Sequence, residues 1–337
     1  MKKHWIRLLS AIMALSLLAG CGAKPQQERP EATENVAPGY ENGLITRVSA
    51  LKGPTSMGLV KLLADDEAAE VQRYEGAMYT AADEIVPLIA KGETDIALIP
   101  TNLAATLYQK TEGGVQVINV NAGNVLYALS YDESLQHMEG LKGKTVYMTG
   151  KGTTPEWTVR YLMQQNGLTD ADITLEFKPE SAEVLSALSA DPTAAAILPQ
   201  PFATVAMMQD QELSMNFSLS DEWAAKSGAG GTVTGVTIVR RAFAEEHPAA
   251  LRQFLNDHAA SVAYMTENTA DSARLIEEYG IVGAAVAEEV LAYFSPISSV
   301  SGEEMKTSVN GYLSALYEIA PEAVGGKMPD EAFYYLG

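Results

Sequence analysis

Two short turns of this 337-residue sequence carry the residue types of a binding site for a small polar molecule. The first turn is GPTS at residues 53–56, and the second is GTTP at residues 152–155. Glycine permits a positive φ where the chain turns, Thr154 can cap a helix, and Pro155 suits the first turn of a helix. Such a turn leaves backbone N–H groups free at the positive end of a helix dipole. Both turns therefore predict non-covalent capture of a polar or anionic ligand.

Residues 144–163 (KTVYMTGKGTTPEWTVRYLM) indicate which elements position the second turn. Residues 145–148 are rich in β-branched and aromatic side chains, which predicts a short buried strand. After the turn, apolar residues recur at helical spacing, and the pair Asn166-Gly167 predicts where that helix ends. We therefore expect a strand, a tight glycine turn and an amphipathic helix, in that order.

The two turns stand at a constant offset of 99 residues, and the sequence around them repeats at the same offset. Gly53 matches Gly152, Pro100 matches Pro199, and the apolar positions between them agree without a gap. This register predicts an internal duplication that gives two similar α/β halves. The alternative is that any two βαβ units resemble one another in pattern.

The first 21 residues are typical of a lipoprotein signal peptide. Lys2, Lys3 and Arg7 accompany an apolar run at residues 8–18, which is too short for a comfortable transmembrane span. The following LAGC resembles a bacterial lipobox, in which Cys21 is diacylated, as with palmitate, and becomes the first mature residue. Cys21 is also the only cysteine, so it cannot form an internal disulfide. We expect a protein held by this lipid on the extracytoplasmic face of the cell membrane.

Residues 22–43 are rich in proline, glutamate and glutamine, a composition that predicts a disordered tether. The formal net charge of the chain is −20 at pH 7, which argues against nucleic acid as a partner and against broad adhesion to anionic lipid. A local site at a helix dipole can still bind an anion. No apolar window of membrane-spanning length follows the signal, so we expect no further span.

The rest of the chain predicts two lobes that are joined by two crossings. Lobe I comprises residues 44–126 and 234–337, and lobe II comprises residues 127–233. The glycine-rich loop at residues 227–231 is the expected return hinge. From residue 241 onward the pattern is almost entirely helical, and we expect these helices to cover lobe I.

The lipobox, the tether, the duplicated halves and the helical end together resemble the substrate-binding lipoproteins of bacterial ABC importers. The GxT turns, DIALIPTNLAA (95–105) and GKGTTPEW (150–157) are similar to the periplasmic-binding-protein type 2 family, which includes binders of nitrate, sulfonates, taurine and thiamine precursors. The resemblance implies a two-lobed α/β fold with a two-strand hinge and a helical C-terminal segment. It also implies a monomer without a cofactor, which captures a solute in the cleft between its lobes. The partner would be a permease with a cytoplasmic ATPase.

The candidate ligand residues all lie in turns at the C-terminal ends of predicted strands, where open α/β sheets bind their ligands. They are Gly53, Pro54, Thr55, Ser56, Thr101, Asn102, Tyr127, Gly152, Thr153, Thr154, Glu156, Gln200 and Thr204. Glu156 either complements the helix dipole or faces the cleft, where it would favour an amine. Lys52 and Lys151, at matched positions, would instead balance an anion. Because arginine is absent from both turns, a neutral or aminated ligand such as a thiamine-precursor-like pyrimidine is favoured over sulfonate, nitrate or taurine.

Two other functions stay open. A sensor lipoprotein would use the same cleft without a role in transport. An enzyme on the same scaffold is less favoured, because no GxSxG or HExxH motif occurs and the four histidines have no evident catalytic partner. No group of His, Cys, Asp or Glu has the spacing of metal ligands, so we expect neither a metal nor a cofactor.

Overall fold

The computed structural model describes residues 38–227 and 231–337. The predicted signal peptide, the lipidation site at Cys21 and the tether up to residue 37 lie outside the described residues. The same holds for residues 228–230 of the predicted hinge loop. Within the described ranges, no helix combines the length and the apolar character that a bilayer crossing needs.

The first half of the chain alternates strands and helices. Its elements are β1 (Thr46–Leu51), α1 (Pro54–Met57), α2 (Val60–Ala68), β2 (Tyr74–Tyr79), α3 (Ala82–Lys91), β3 (Ile96–Pro100), α4 (Thr101–Lys110), β4 (Val115–Gly123) and β5 (Leu126–Ser130). Every residue of β3 is buried, as expected of a strand with both faces covered.

The second half repeats this order after a 3-10 turn at Met138–Leu141. Its elements are β6 (Thr145–Met148), α5 (Thr154–Gln165), β7 (Thr174–Phe177), α6 (Ser181–Ala190), β8 (Ala195–Pro199), α7 (Phe202–Gln209), β9 (Ser214–Ser218) and α8 (Leu219–Ser227). The chain continues through β10 (Val233–Arg240), α9 (Arg241–Glu246), α10 (Pro248–Glu267), α11 (Thr269–Glu278), α12 (Ala284–Tyr293), β11 (Ile297–Val300) and α13 (Gly302–Ile319). Two 3-10 turns, Pro321–Val324 and Glu331–Phe333, follow α13.

Equivalent elements of the two halves keep the offset of 99 residues. Helices α3 and α6 begin at residues 82 and 181, and strands β3 and β8 begin at residues 96 and 195. The two glycine turns depart from this symmetry. Helix α1 after the first turn has only 4 residues, whereas α5 after the second turn has 12. The repeat predicted from the sequence is therefore present in the backbone structure as well. The one difference is the short helix after the first turn.

The two halves exchange one strand. One sheet has the order β11-β4-β10-β3-β1-β2, and the other has the order β7-β6-β8-β5-β9. Strand β5 follows β4 in sequence but pairs antiparallel with β8 and β9 of the second sheet. Strand β10 follows the second half but pairs antiparallel with β3 and β4 of the first sheet. Each sheet therefore contains a strand from the other half, and the chain crosses twice between the sheets.

The carboxylate of Asp95 fastens strand β10 to the first sheet. Asp95 is buried, and its Oδ1 accepts hydrogen bonds from Nη2 of Arg240 and from Nη2 of Arg47, both at 2.6 Å. Arg47 lies on β1 and Arg240 ends β10. Burial alone would raise the pKa of Asp95, but the bonds from the two arginines outweigh it and hold this pKa below its ordinary value.

An aromatic cluster joins the C-terminal segment to the second half. Trp223 of α8 is fully buried between Tyr161 of α5 and Tyr312 of α13, with ring centroids 4.1 and 4.8 Å away. The hydroxyl of Tyr312 also shares a hydrogen bond with that of Thr158 on α5. Helix α13 packs against β4 and β10 as well. The helical end therefore contacts both halves.

Candidate ligand-binding cleft

A cleft of about 1080 Å³ lies between the two sheets and is lined from both halves. Most of its wall consists of residue pairs that stand 99 positions apart in the sequence. These eleven pairs are Leu51 and Gly150, Lys52 and Lys151, Pro54 and Thr153, Thr80 and Pro179, Ala81 and Glu180, Ala82 and Ser181, Asp83 and Ala182, Val86 and Leu185, Pro100 and Pro199, Leu103 and Phe202, and Lys110 and Gln209. Equivalent surfaces of the two halves therefore face one another across the cleft.

The C-terminal helices supply a further, apolar wall. Ile281 and Val282 lie between α11 and α12, and Val286 lies on α12; all three line the cleft. Helix α12 packs against α7, which adds Phe202 and Val205 to the same wall. The cleft is therefore suited to a ligand with an apolar body, since burial of apolar surface favours binding.

The first turn places Pro54 and Thr55 in the cleft wall, with Gly53 and Ser56 behind them. The Thr55 hydroxyl donates to the carbonyl of Leu51 at 2.7 Å, and the Ser56 hydroxyl donates to that of Gly53 at 3.2 Å. The turn is therefore held by its own side chains. It also precedes a helix of a single turn, which lacks the strong N-terminal field that the sequence led us to expect.

The second turn places Gly152 and Thr153 in the cleft wall. Gly152 is exposed and has a positive φ of 74°, and the Thr153 hydroxyl donates to the carbonyl of Gly150 at 2.7 Å. The 12-residue helix α5 begins directly after it. This turn therefore combines an open surface with a full-length helix.

Asn102 and Thr154 contact each other instead of lining the cleft. The Thr154 hydroxyl donates to Oδ1 of Asn102 at 3.2 Å. Nδ2 of Asn102 donates to the carbonyls of Gly152 at 3.1 Å and Ala323 at 3.3 Å. These bonds join α4 of the first half, the second turn and the segment after α13. In this arrangement the two side chains connect the halves, and they contribute no surface to a ligand.

Glu156 supports its own turn. One carboxylate oxygen accepts from the backbone N–H of Gly152 at 2.7 Å, and the other accepts from Nε of Arg160 at 2.7 Å. Glu156 is buried and lies behind the cleft wall. Sequence analysis left two roles for Glu156, at its own helix start or facing the cleft, and the structure favours the first. The carboxylate therefore gives no reason to prefer an aminated ligand.

The other four candidates also lie behind the wall. Tyr127 packs edge-on against Phe294, with ring centroids 5.4 Å apart. Gln200 is buried and accepts a hydrogen bond from the Thr204 hydroxyl at 2.9 Å. Thr101 is buried at the start of α4. The structure thus brings Pro54, Thr55, Gly152 and Thr153 together around the cleft. The remaining candidates lie behind the cleft wall and support it.

The charged residues of the cleft include both signs. Three lysines line it, Lys52, Lys110 and Lys151, together with the carboxylates of Asp83 and Glu180. Asp83 lies in the first turn of α3, and Glu180 directly precedes α6. Among the described residues that line the cleft there is no arginine. The matched pair Lys52 and Lys151 thus provides positive charge beside the two glycine turns.

The three histidines among the described residues lie away from the cleft. His137 contacts Glu222 at 2.8 Å, and His247 contacts Glu41 at 2.9 Å, both near the surface. Burial lowers the pKa of His258 to about 4, so its ring is neutral at pH 7. Over residues 38–227 and 231–337, no group of His, Cys, Asp and Glu side chains is arranged to hold a metal ion.

Sequence reasoning missed two parts of this cleft. The starts of α3 and α6 line it around Ala82 and Ser181, and these positions could have been found because they too stand 99 residues apart. The wall at Ile281 and Val282 carries no local signal, because its position depends on how the C-terminal helices pack.

The sequence model of the family described as NMT1/THI5-like matches residues 76–272, which is more than half of the chain. This span contains the second turn and begins after the first. No curated protein matches the chain in sequence.

Solved structures share the fold along most of their length. An ABC transporter structure from Parabacteroides distasonis has a TM-score of 0.69 at 22% identity, covering 86% of this chain and 98% of its own. The periplasmic aliphatic sulphonate binding protein SsuA from Escherichia coli has a TM-score of 0.69 at 16% identity, covering 86% and 92%. The alkanesulfonate-binding protein SsuA from Xanthomonas axonopodis pv. citri, bound to MOPS, has a TM-score of 0.65 at 16% identity, covering 86% and 96%.

These matches confirm the predicted fold class, a two-lobed α/β binding-protein fold. The three structures are named as binding proteins or as a transporter, and none of the three is named as an enzyme. The expectation of a binding protein over an enzyme agrees with these names.

Proposed function

Because this chain belongs to the NMT1/THI5-like family, we propose that it is the solute-binding component of an ABC importer. The observation that supports this most directly is the cleft, which equivalent positions of two duplicated halves line from opposite sides. A solute between two such walls loses its contact with water and is held from both halves at once. We propose that the two lobes, with the boundaries predicted from the sequence, close on the solute by rotation at the two crossings. The closed form would then dock on the permease.

The lining supports an organic solute with an apolar body. Apolar side chains form most of the wall, and a single nitrate ion would leave a cleft of about 1080 Å³ largely empty. The sequence argument for an amine depended on Glu156, which is engaged by Gly152 and Arg160. We therefore propose a ligand such as a thiamine-precursor-like pyrimidine or an alkanesulfonate, without a requirement for a positive charge. The sulphonate binders among the structural neighbours support the second of these.

We also propose that Cys21 carries the lipid that holds the protein at the extracytoplasmic face of the membrane. The sequence around Cys21 supports this, together with the absence of any other cysteine from the chain. Replacing this residue in the variant Cys21→Ser is expected to move the protein from the membrane fraction to the soluble fraction. Retention of this variant in the membrane would contradict the proposal.

Solute binding is tested with native mass spectrometry followed by a thermal-shift panel. The protein is purified without denaturation and inspected for a retained small molecule. It is then mixed with hexanesulfonate, taurine, nitrate and 4-amino-2-methylpyrimidine. A true ligand at a hundredfold excess over its Kd is expected to stabilise the fold by about 2.7 kcal/mol.

Two variants of helix α12 show whether such binding takes place in the cleft. Val286→Trp fills space at the cleft wall, and Ala285→Trp places the same side chain at the neighbouring exposed position. The first is expected to abolish the stabilisation, and the second is expected to preserve it. Equal binding by both variants would locate the ligand elsewhere. If neither a retained molecule nor a stabilising compound is found in a wide metabolite screen, the proposed function fails.

A further inference from the structure

The two glycine turns stand at equivalent positions of the repeat but differ in exposure. Gly53 of the first turn is buried, whereas Gly152, its equivalent in the second turn, is exposed. A Cβ atom built on Gly152 would meet no other atom within 4 Å. A Cβ atom built on Gly53 would lie 3.7 Å from Cε2 of Phe202. One turn is therefore open to a ligand, and the other is covered.

Phe202 is the residue that covers the first turn from the opposite half. It begins α7 in the second half and reaches across the cleft to Gly53, next to β1 in the first half. Its equivalent in the first half is Leu103, which lines the cleft as well. Equivalent positions of the two halves therefore carry an aromatic ring on one side and a shorter side chain on the other. The less exposed turn is thus the one that the aromatic ring contacts.

The matched lysines Lys52 and Lys151 also differ in how available their ammonium groups are to a ligand. Nζ of Lys52, beside the first turn, lies 3.4 Å from the carbonyl of Gly280 between α11 and α12. Lys151, beside the second turn, is exposed and lines the cleft. Its ammonium group is thus available to a ligand, and that of Lys52 is drawn towards the C-terminal helices.

The hydroxyl of Thr234 is an independent indication that a polar group of a ligand binds at this part of the cleft. Thr234 lies near the start of β10, which packs against both α1 and α5, and it lines the cleft. Its side chain is buried, and within the described part of the chain its hydroxyl oxygen has no hydrogen-bond partner. A buried hydroxyl without a partner is unfavourable, and a polar group of a ligand would remove this cost.

We propose that the polar head of the ligand binds at the second turn, residues 150–153, and at the hydroxyl of Thr234, while Phe202 closes the first turn and limits the size of the ligand. This assignment rests on the proposed function. The head is a hydrogen-bond acceptor, since Lys151 can only donate to it and the Thr234 hydroxyl can donate as well. The apolar body of the ligand then lies against Phe202 and the wall of α7 and α12.

The unequal exposure of the turns is tested without any ligand, by the reaction of introduced thiols. The full chain carries Cys21→Ser, so that each introduced cysteine is the only thiol. The matched variants Pro54→Cys and Thr153→Cys are treated with the anionic reagent 2-sulfonatoethyl methanethiosulfonate. Thr153→Cys is expected to react about tenfold faster or more, because a buried thiol is inert. Lys52→Cys and Lys151→Cys repeat the comparison if Pro54→Cys does not fold.

Phe202 is then removed to uncover the first turn. Adding Phe202→Ala to Pro54→Cys is expected to raise its reaction rate to within about threefold of that of Thr153→Cys. Adding Leu103→Ala, the equivalent change in the other half, is expected to leave the rate of Pro54→Cys unchanged. Equal reaction of Pro54→Cys and Thr153→Cys in the parent would overturn the proposal, and so would an effect of Leu103→Ala as large as that of Phe202→Ala.

Thr234→Val separates ligand contact from a merely structural role. Because its hydroxyl has no partner, its removal is expected to leave the empty protein as stable as the parent or more stable. The same variant is expected to raise the Kd of hexanesulfonate or of 4-amino-2-methylpyrimidine, whichever binds, by about fivefold to tenfold. Thr174→Val, at an exposed position of β7 outside the cleft, is the control and is expected to change Kd by less than about twofold.

The two proposals fail in different ways. If the thiols react unequally as expected but no solute binds, the proposed function fails and the closed first turn stands as a structural property. If a solute binds in the cleft but Thr234→Val leaves its Kd unchanged, or the two thiols react alike, the further inference is wrong and solute binding stands.

Discussion

Replacing Trp223 by alanine is expected to lower the free energy of unfolding by about 3 to 5 kcal/mol, the range for removal of a large buried aromatic side chain. Trp223 is fully buried between Tyr161 and Tyr312, and its loss leaves a cavity where α5, α8 and α13 meet. These helices belong to different parts of the chain, so the cavity cannot close by a shift of one of them alone. Urea unfolding at pH 7 measures the effect.

Tyr293→Ala is the control for this prediction. Tyr293 ends α12 with 76% of its surface exposed, and its removal is expected to change stability by less than about 0.5 kcal/mol. A loss below about 1 kcal/mol in Trp223→Ala would show that the aromatic cluster does not hold the C-terminal segment to the second half.

Asp95→Asn is expected to destabilise the protein by about 2 to 4 kcal/mol at pH 7. The substitution removes the negative charge that Arg47 and Arg240 share. The expected loss of stability lies near the lower end of the range for buried ion pairs, because both arginines are partly exposed. Asp65→Asn is the control, since Asp65 forms an exposed pair with Lys61 and is expected to contribute less than about 1 kcal/mol.

The effect of Asp95→Asn is also expected to depend on pH. The pKa of Asp95 is lower in the folded protein than in the unfolded chain, so its contribution is complete above the ordinary carboxyl range and is lost as the pH falls through the folded pKa. The difference between parent and variant should therefore shrink when urea unfolding is repeated at acidic pH. A difference that stays constant or grows on acidification would mean that Asp95 does not act through its charge.

Much of the fold could be predicted because its signals are local. Strand, glycine turn and helix follow one another within twenty residues around Gly152, and the same order recurs 99 residues earlier. Such signals depend on backbone preferences and on the burial pattern of neighbouring residues. The exchange of β5 and β10 between the sheets is a long-range property. In the sequence, only the two predicted chain crossings between the lobes indicated this exchange.

The candidate site was predictable only in part. Pro54, Thr55, Gly152 and Thr153 line the cleft because a turn at the end of a strand has one open side. Sequence alone could not distinguish a polar side chain that faces the ligand from one that holds the turn. Glu156 illustrates this, because its carboxylate is used within its own helix and turn. The cover by Phe202 depends on a contact between residues from different halves, which no local pattern encodes.

The exchanged strands determine the order in which the protein can assemble. Gly235 of β10 pairs with Pro100 of β3, so the centre of the first sheet stays open until the whole second half has been synthesised. Until then β3 and β4 present unpaired edges, which are prone to wrong pairing with other chains. Contacts so distant in sequence also form slowly. The two halves therefore cannot be completed one after the other, and each sheet becomes complete only with the strand that the other half donates.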